Sequence, residues 1–278
     1  MIRKEIVYWK ALSWLFKTLI MTKGFATLLL LFGFLTAFSQ SFPSFEKKEF
    51  LKGGDTLCYR IQYPLGYDAG KKYPLVLMMH GAGERGSDNE AELVWGGSLF
   101  ADSAVRMKFP AIVVFPQCGT DDFWANLSFA PTDSIKFHMR SDSAPKKAMG
   151  LVMHLLDELA GSGHVDTKRI YVGGLSMGGM GTFELLWRKP GFFAAAFPIC
   201  GAGDPAQVGL YARKFPIWVF HGGADPVVPV ANSRLMVGAL KKAKAKVTYT
   251  EYPGVGHDSW KNAFAEPGLL PWVFEQHR

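Results

Sequence analysis

Between Tyr73 and Tyr252, short apolar runs alternate with stretches of helical spacing, and that alternation leaves few architectures open. YPLVLMMH (73–80), AIVVFP (111–116), RIYVGG (169–174), FFAAAFPI (192–199), FPIWVFHG (215–222) and KVTYTEY (246–252) read as buried strands. Among them SLFADSAVRMKF (98–109), APKKAMGLVMHLLDELA (144–160), GMGTFELLWRK (179–189) and VANSRLMVGALKKAKA (230–245) read as helices, with Ser143 the expected N-cap of the second. A last helical stretch, LLPWVFEQHR, closes the chain. Strands too apolar to have a wet face, separated by helices, predict an α/β fold with a mostly parallel, doubly wound sheet covered on both sides. Upstream, EKKEFL and DTLCYRIQYP flank Gly53-Gly54 and predict an antiparallel hairpin.

The first 39 residues read differently. FATLLLLFGFLTAF (25–38) follows Lys23 and runs into the small-x-small pattern Ala37-Phe38-Ser39, the layout of a secretory signal. Met21 can open a complete signal by itself, which makes residues 1–20 a candidate upstream extension. Residues 40–278 are then expected to form one catalytic domain, secreted or periplasmic, without a membrane span once the signal is removed, and residues 1–43 are expected to pack little against the rest. The leader's five cations and one acid account for four of the chain's seven net positive charges, leaving +3. That residue of charge gives no basis for nucleic-acid binding. Three cysteines, Cys58, Cys118 and Cys200, make no disulfide framework, and no CxxC or HExxH spacing suggests a metal site.

The segment from Gln117 to Pro145 breaks the rhythm, being long, polar and aromatic. Loops of that length in compact domains usually serve function. Trp124 and Phe129 are its candidate substrate-binding residues, with Trp124 expected as a wall beside the reacting centre.

Ligands of such sheets sit beyond the C-terminal ends of the strands, so reactive side chains placed there carry the chemistry. Gly-x-Ser-x-Gly (Gly174, Ser176, Gly178) lies between the strand RIYVGG and a helix, the context of a nucleophile elbow. The pentapeptide alone is weak evidence. A serine hydroxyl also needs a base to take its proton and an acid to orient that base. Asp225, in HGGADPVVP, follows one later strand, and His257, in YPGVGHDSW, follows the next. Asp204 is the rival acid, while His80 and His221 close strands before glycine and are expected to brace loops. Oxyanion donors are expected at the Met177 N–H, directly after the serine, and at the Ala82 N–H in HGAGERGSDN (80–89), with Gly83 as the alternative. Glu84 and Arg85 are expected to brace that loop through ion pairing rather than to touch substrate.

HGAGERGSDN, FPQC…W, GGLSMGGMGTF, PIWVFHGGADPVVP and YPGVGHDSW together resemble the α/β-hydrolase esterases grouped with dienelactone hydrolase, polyhydroxybutyrate depolymerase and feruloyl esterase, and the prolyl oligopeptidase catalytic domain. The resemblance implies a serine esterase that requires no cofactor or metal. The 239 residues after the leader leave no room for a prolyl-oligopeptidase propeller, and the stretch from Cys200 to Phe215 is too short for a lipase-like cap domain. The expected reaction is cleavage of carboxylic esters through an acyl-enzyme, with acetyl or feruloyl groups on polysaccharide as the substrates an exported enzyme would meet. Two alternatives stay open: a serine peptidase for short peptides, and a non-catalytic binding protein on a hydrolase fold. Acyl and alcohol preference and oligomeric state are not legible.

Overall fold

The computed structural model describes residues 42–130, 132–133 and 136–278. The signal assigned to residues 1–39 lies outside them.

Ten strands are present among the described residues. β1 (Glu46–Lys52) and β2 (Asp55–Gln62) form the expected hairpin. Gly53 and Gly54 turn it with φ of +62° and +86°, the two left-handed positions of a turn that matches strand twist. β3 (Tyr73–Met79), β4 (Ile112–Pro116), β7 (Val165–Leu175), β8 (Ala195–Ile199), β9 (Ile217–Gly222) and β10 (Val247–Tyr252) complete an eight-stranded sheet in the order β1-β2-β4-β3-β7-β8-β9-β10. From β4 to β10 every pairing is parallel.

The period-2 geometry of a strand sends successive side chains to opposite faces, and β3 supplies both layers. Leu75, Leu77 and Met79 face one core with α3 (Lys147–Gly161), α4 (Met177–Arg188) and α5 (Ala231–Lys242). Val76 and Met78 face the other, which is closed by α1 (Gly97–Ala101), α2 (Ser103–Lys108), α6 (Trp260–Ala265) and α7 (Leu269–Glu275). Phe42 enters this second core beside Phe45, contrary to the expectation that residues up to 43 pack little; an aromatic ring in the polar stretch SQSFPS finds apolar cover there.

Local hydrogen bonding moved several boundaries. The helix expected over 98–109 breaks at Asp102, whose Oδ1 accepts from the Val105 N–H at 2.9 Å and restarts the chain as α2. Ser143 does not cap α3. The helix begins only at Lys147, with Lys146 at the N-cap position, so Ser143 lies too far upstream, and its hydroxyl donates to Arg140 O. The first turn is served instead by Asp122, whose Oδ2 accepts from the Ala148 N–H at 2.7 Å. Within 117–145 the chain forms a small antiparallel hairpin, β5 (Leu127–Phe129) with β6 (Phe137–Met139).

Connections from β3 run to β4 on one side, while the chain crosses to β7 on the other. The carboxyl ends of β3 and β7 therefore flank the point where strand order reverses, the place such sheets hold ligands.

Candidate active site

β7 ends at Leu175, and Ser176 opens α4 in a left-handed conformation, φ +54° and ψ −116°. Side chains rarely adopt that backbone, and its cost is held by the surroundings. The Ser176 N–H donates to Ile199 O at 2.9 Å. Glycines permit the strand–helix approach: a Cβ at Gly178 would lie 2.0 Å from Met79 O, and one at Gly174 2.3 Å from Gly178 O. The result is a half-buried serine whose hydroxyl points out of a rigid turn.

Ser176 Oγ lies 2.9 Å from His257 Nε2, and His257 Nδ1 lies 2.7 Å from Asp225 Oδ2. Asp225 is buried in the loop after β9, where its Oδ1 accepts from the Val227 and Val228 N–H groups at 2.9 Å. Burial pushes the Asp225 carboxyl up, but hydrogen bonds from His221 and His257, with the Val227 amide, outweigh it and hold the group well below the usual range. An ionised Asp225 accepts only, so His257 Nδ1 carries the proton and Nε2 is free to accept from the serine hydroxyl. His221 supports the acid: its Nε2–H faces Val228 O at 2.9 Å and Asp225 Oδ2 at 3.3 Å, while Nδ1 accepts from Ser233 at 2.6 Å.

Asp204 is engaged elsewhere, accepting from the Ala206 N–H and from Ser141. Cys200 packs against the triad, with its sulfur, an Asp225 oxygen and a His257 nitrogen all within 4.8 Å of one another. Burial pushes its thiol up to about 12, so it stays neutral. All three cysteines are free.

Ala82 starts a single 3-10 turn (Ala82–Glu84) after β3, and Met177 starts α4; first-turn amides have no acceptor within their own helix. The two turns are adjacent, since a Cβ built at Gly81 would lie 3.7 Å from Ser176 Cβ. The ion pairing expected of Glu84 and Arg85 is absent among the described residues. Arg85 instead donates to Ala82 O, Thr120 O and Asp122 O and covers Phe123, because the carbonyl-rich 117–123 stretch lies within its reach. His80 ties the same elements together, accepting from the Cys118 N–H at 2.9 Å and donating to Gly81 O. Burial brings its pKa down to about 4, so it remains neutral.

The expected substrate wall at Trp124 is a correction. Trp124 is 0% exposed, its indole N–H donates to His80 O at 3.0 Å, and α4 crosses it at Gly181, where a Cβ would fall 2.6 Å from Trp124 Cβ. It is a core residue beneath the loop, because its ring and its one donor are both satisfied inward. Phe129 is 57% exposed on β5 and packs on Phe137. The inner side of that hairpin, Leu127, Phe137 and Met139, covers Met180, Ala202 and Val228. His221 braces the loop after β9 as its place before glycine predicts, whereas the Asp122 cap had no local sequence signal, since it joins an irregular loop to a helix 26 residues on.

Residues 67–266 match the family described as phospholipase/carboxylesterase. Among curated proteins, the chain is 30% identical over 185 residues to "Putative esterase NocK" of Nocardia uniformis subsp. tsuyamanensis, covering 66% of this chain and 49% of that protein. It is 27% identical over 188 residues to the bifunctional acetylxylan esterase/xylanase XynS20E of Neocallimastix patriciarum, covering 65% of this chain and 24% of that one. The chain thus spans about half, or less, of these relatives' length. Among solved structures, a thermostable esterase superposes with a TM-score of 0.76 at 36% identity, covering 84% of this chain and 64% of that chain. No helix among the described residues is long and apolar enough to cross a membrane. The match over residues 67–266, joined to the sheet order and the turn at Ser176, shows that the chain belongs to the phospholipase/carboxylesterase family of α/β-hydrolases.

Proposed function

We propose that residues 40–278 are the catalytic domain of an exported serine hydrolase that cleaves carboxylic esters through an acyl-enzyme. The observation that carries this is the hydrogen-bonded line Ser176 Oγ–His257–Asp225, at 2.9 and 2.7 Å, at the sheet's reversal point. His257 Nε2 takes the serine proton as Oγ attacks the ester carbonyl, and Asp225 stabilises the imidazolium that forms. The Met177 and Ala82 N–H groups receive the oxyanion. His257 then hands its proton to the departing alcohol, and water, deprotonated by the same imidazole, releases the acid. No step needs a cofactor or metal. Acetyl or feruloyl groups on polysaccharide are the proposed substrates; a relative named as an acetylxylan esterase supports that class.

The test is a panel of p-nitrophenyl esters of increasing acyl length beside peptide p-nitroanilides. The esters should be the faster class, and Ser176→Ala should lower kcat by roughly 10⁴-fold or more while the fold persists. Faster turnover of the anilides would replace the esterase reading with a peptidase. Export is tested by mass spectrometry of the secreted protein, expected to begin near Gln40; an intact Met1 or Met21 would contradict it.

A further inference from the structure

A line of contacts closes round the His257 side of the nucleophile. Trp260 meets the His257 ring edge-on at 5.3 Å between centroids. Trp95 lies against Trp260 at 5.5 Å, and its indole N–H side favours the charged form of the Glu84 carboxyl. Glu84 returns to the serine: the position of a Cβ on Gly81 is 3.0 Å from Glu84 Oε2 and 3.7 Å from Ser176 Cβ. Unlike Trp124, these groups are all partly exposed, and Val94 beside Trp95 is open to solvent. Both tryptophans pack on the second core on one side and keep part of their surface open beside the reacting centre on the other.

Acyl transfer decides which half of a substrate that occupant is. The acyl carbon bonds to Ser176, and the leaving oxygen must come within hydrogen-bond reach of His257 Nε2 to take its proton. Groups packed around His257 on its open side therefore neighbour the alcohol. Indole faces suit the flat C–H surface of a ring, and a carboxyl acceptor beside them suits hydroxyls on its rim. We propose that Trp95, Trp260 and Glu84 form a leaving-group subsite for a sugar-ring alcohol, with the ring against the indoles and a ring hydroxyl donating to Glu84. The proposal rests on the esterase reading of Ser176, His257 and Asp225. Burial pushes the Glu84 carboxyl up, consistent with its enclosure in this corner.

Two acetates that share the acyl group and differ in the alcohol separate the ideas: a methyl xyloside monoacetate and ethyl acetate. Trp95→Ala should lower kcat/KM on the xyloside at least about tenfold, mainly through KM, and change ethyl acetate by no more than about twofold. Glu84→Gln should show the same bias, and Trp95→Phe, which keeps a flat face, should recover most of the loss. An equal fall on both esters, or no change on either, would overturn the subsite while leaving the esterase intact. Should Trp95→Ala fail to fold, Glu84→Gln decides by the same criterion. A wild-type protein that turns over neither acetate and takes no fluorophosphonate label would remove the esterase reading, and the subsite with it.

Discussion

Ser176 shows how a single residue's chemistry and backbone are fixed together. Its left-handed φ costs on the order of 1–3 kcal/mol and persists because Gly174 and Gly178 let β7 and α4 meet around it. Gly178→Ala should therefore abolish soluble, folded protein, read by circular dichroism, since Met79 O occupies the added methyl's place. The juxtaposition of Ser176, His257 and Asp225 was legible because the proposed acyl transfer would need those three residue types and each lies just after a strand. Trp124 was not, because a tryptophan in an irregular loop carries no signal of which way it faces. Glu92 makes a separate residue-scale prediction. It is fully buried, neither carboxyl oxygen has a hydrogen-bond partner, and burial pushes its pKa up to about 7. The folded state thus holds a proton the unfolded state has lost, and stability falls as pH rises from the free carboxyl value of 4.5 to about 7. Glu92→Gln should flatten the melting-temperature profile over that window and stabilise by about 3 kcal/mol above it; an unchanged slope would show that Glu92 is ionised in the fold.

Among the elements, the 117–145 segment does the joining. Asp122 caps α3 while its carbonyl accepts from Arg85, and Trp124 holds the carbonyl of His80. Asp122→Ala should cost about 1 kcal/mol, as lost N-terminal hydrogen bonds of helices do, seen as a lower melting temperature. Trp124→Ala should cost roughly 3–5 kcal/mol and leave the ranking of ester substrates as it was; an altered ranking with an unchanged melting temperature would restore a substrate role. Arg85→Ala should lower kcat with little change in KM, because Arg85 fixes the turn bearing the Ala82 N–H and touches the carbonyls of its neighbours. Long apolar elements were readable from period alone, as β3 and α3 show. Their ends were not, because Asp102 and Asp122 set them by side-chain hydrogen bonds, one of them across the chain.

At the scale of the whole molecule, strand–helix alternation was enough to give a parallel sheet with both faces covered, and Gly53-Gly54 enough to give the opening hairpin. Strand order needed the structure, since nothing local in AIVVFP says that β4 lies between β2 and β3. That order is what sets the Ala82 turn beside Ser176 and brings the loops after β9 and β10 to the same edge. The account's central claim is that this arrangement makes Ser176 a nucleophile. The direct measurement is intact-mass and peptide mass spectrometry after treatment with a fluorophosphonate. One adduct should form, on the peptide containing Ser176; Asp225→Asn should slow its formation markedly, and Ser176→Ala should abolish it. No adduct on the folded protein, or an adduct on another residue that survives Ser176→Ala, would contradict the claim.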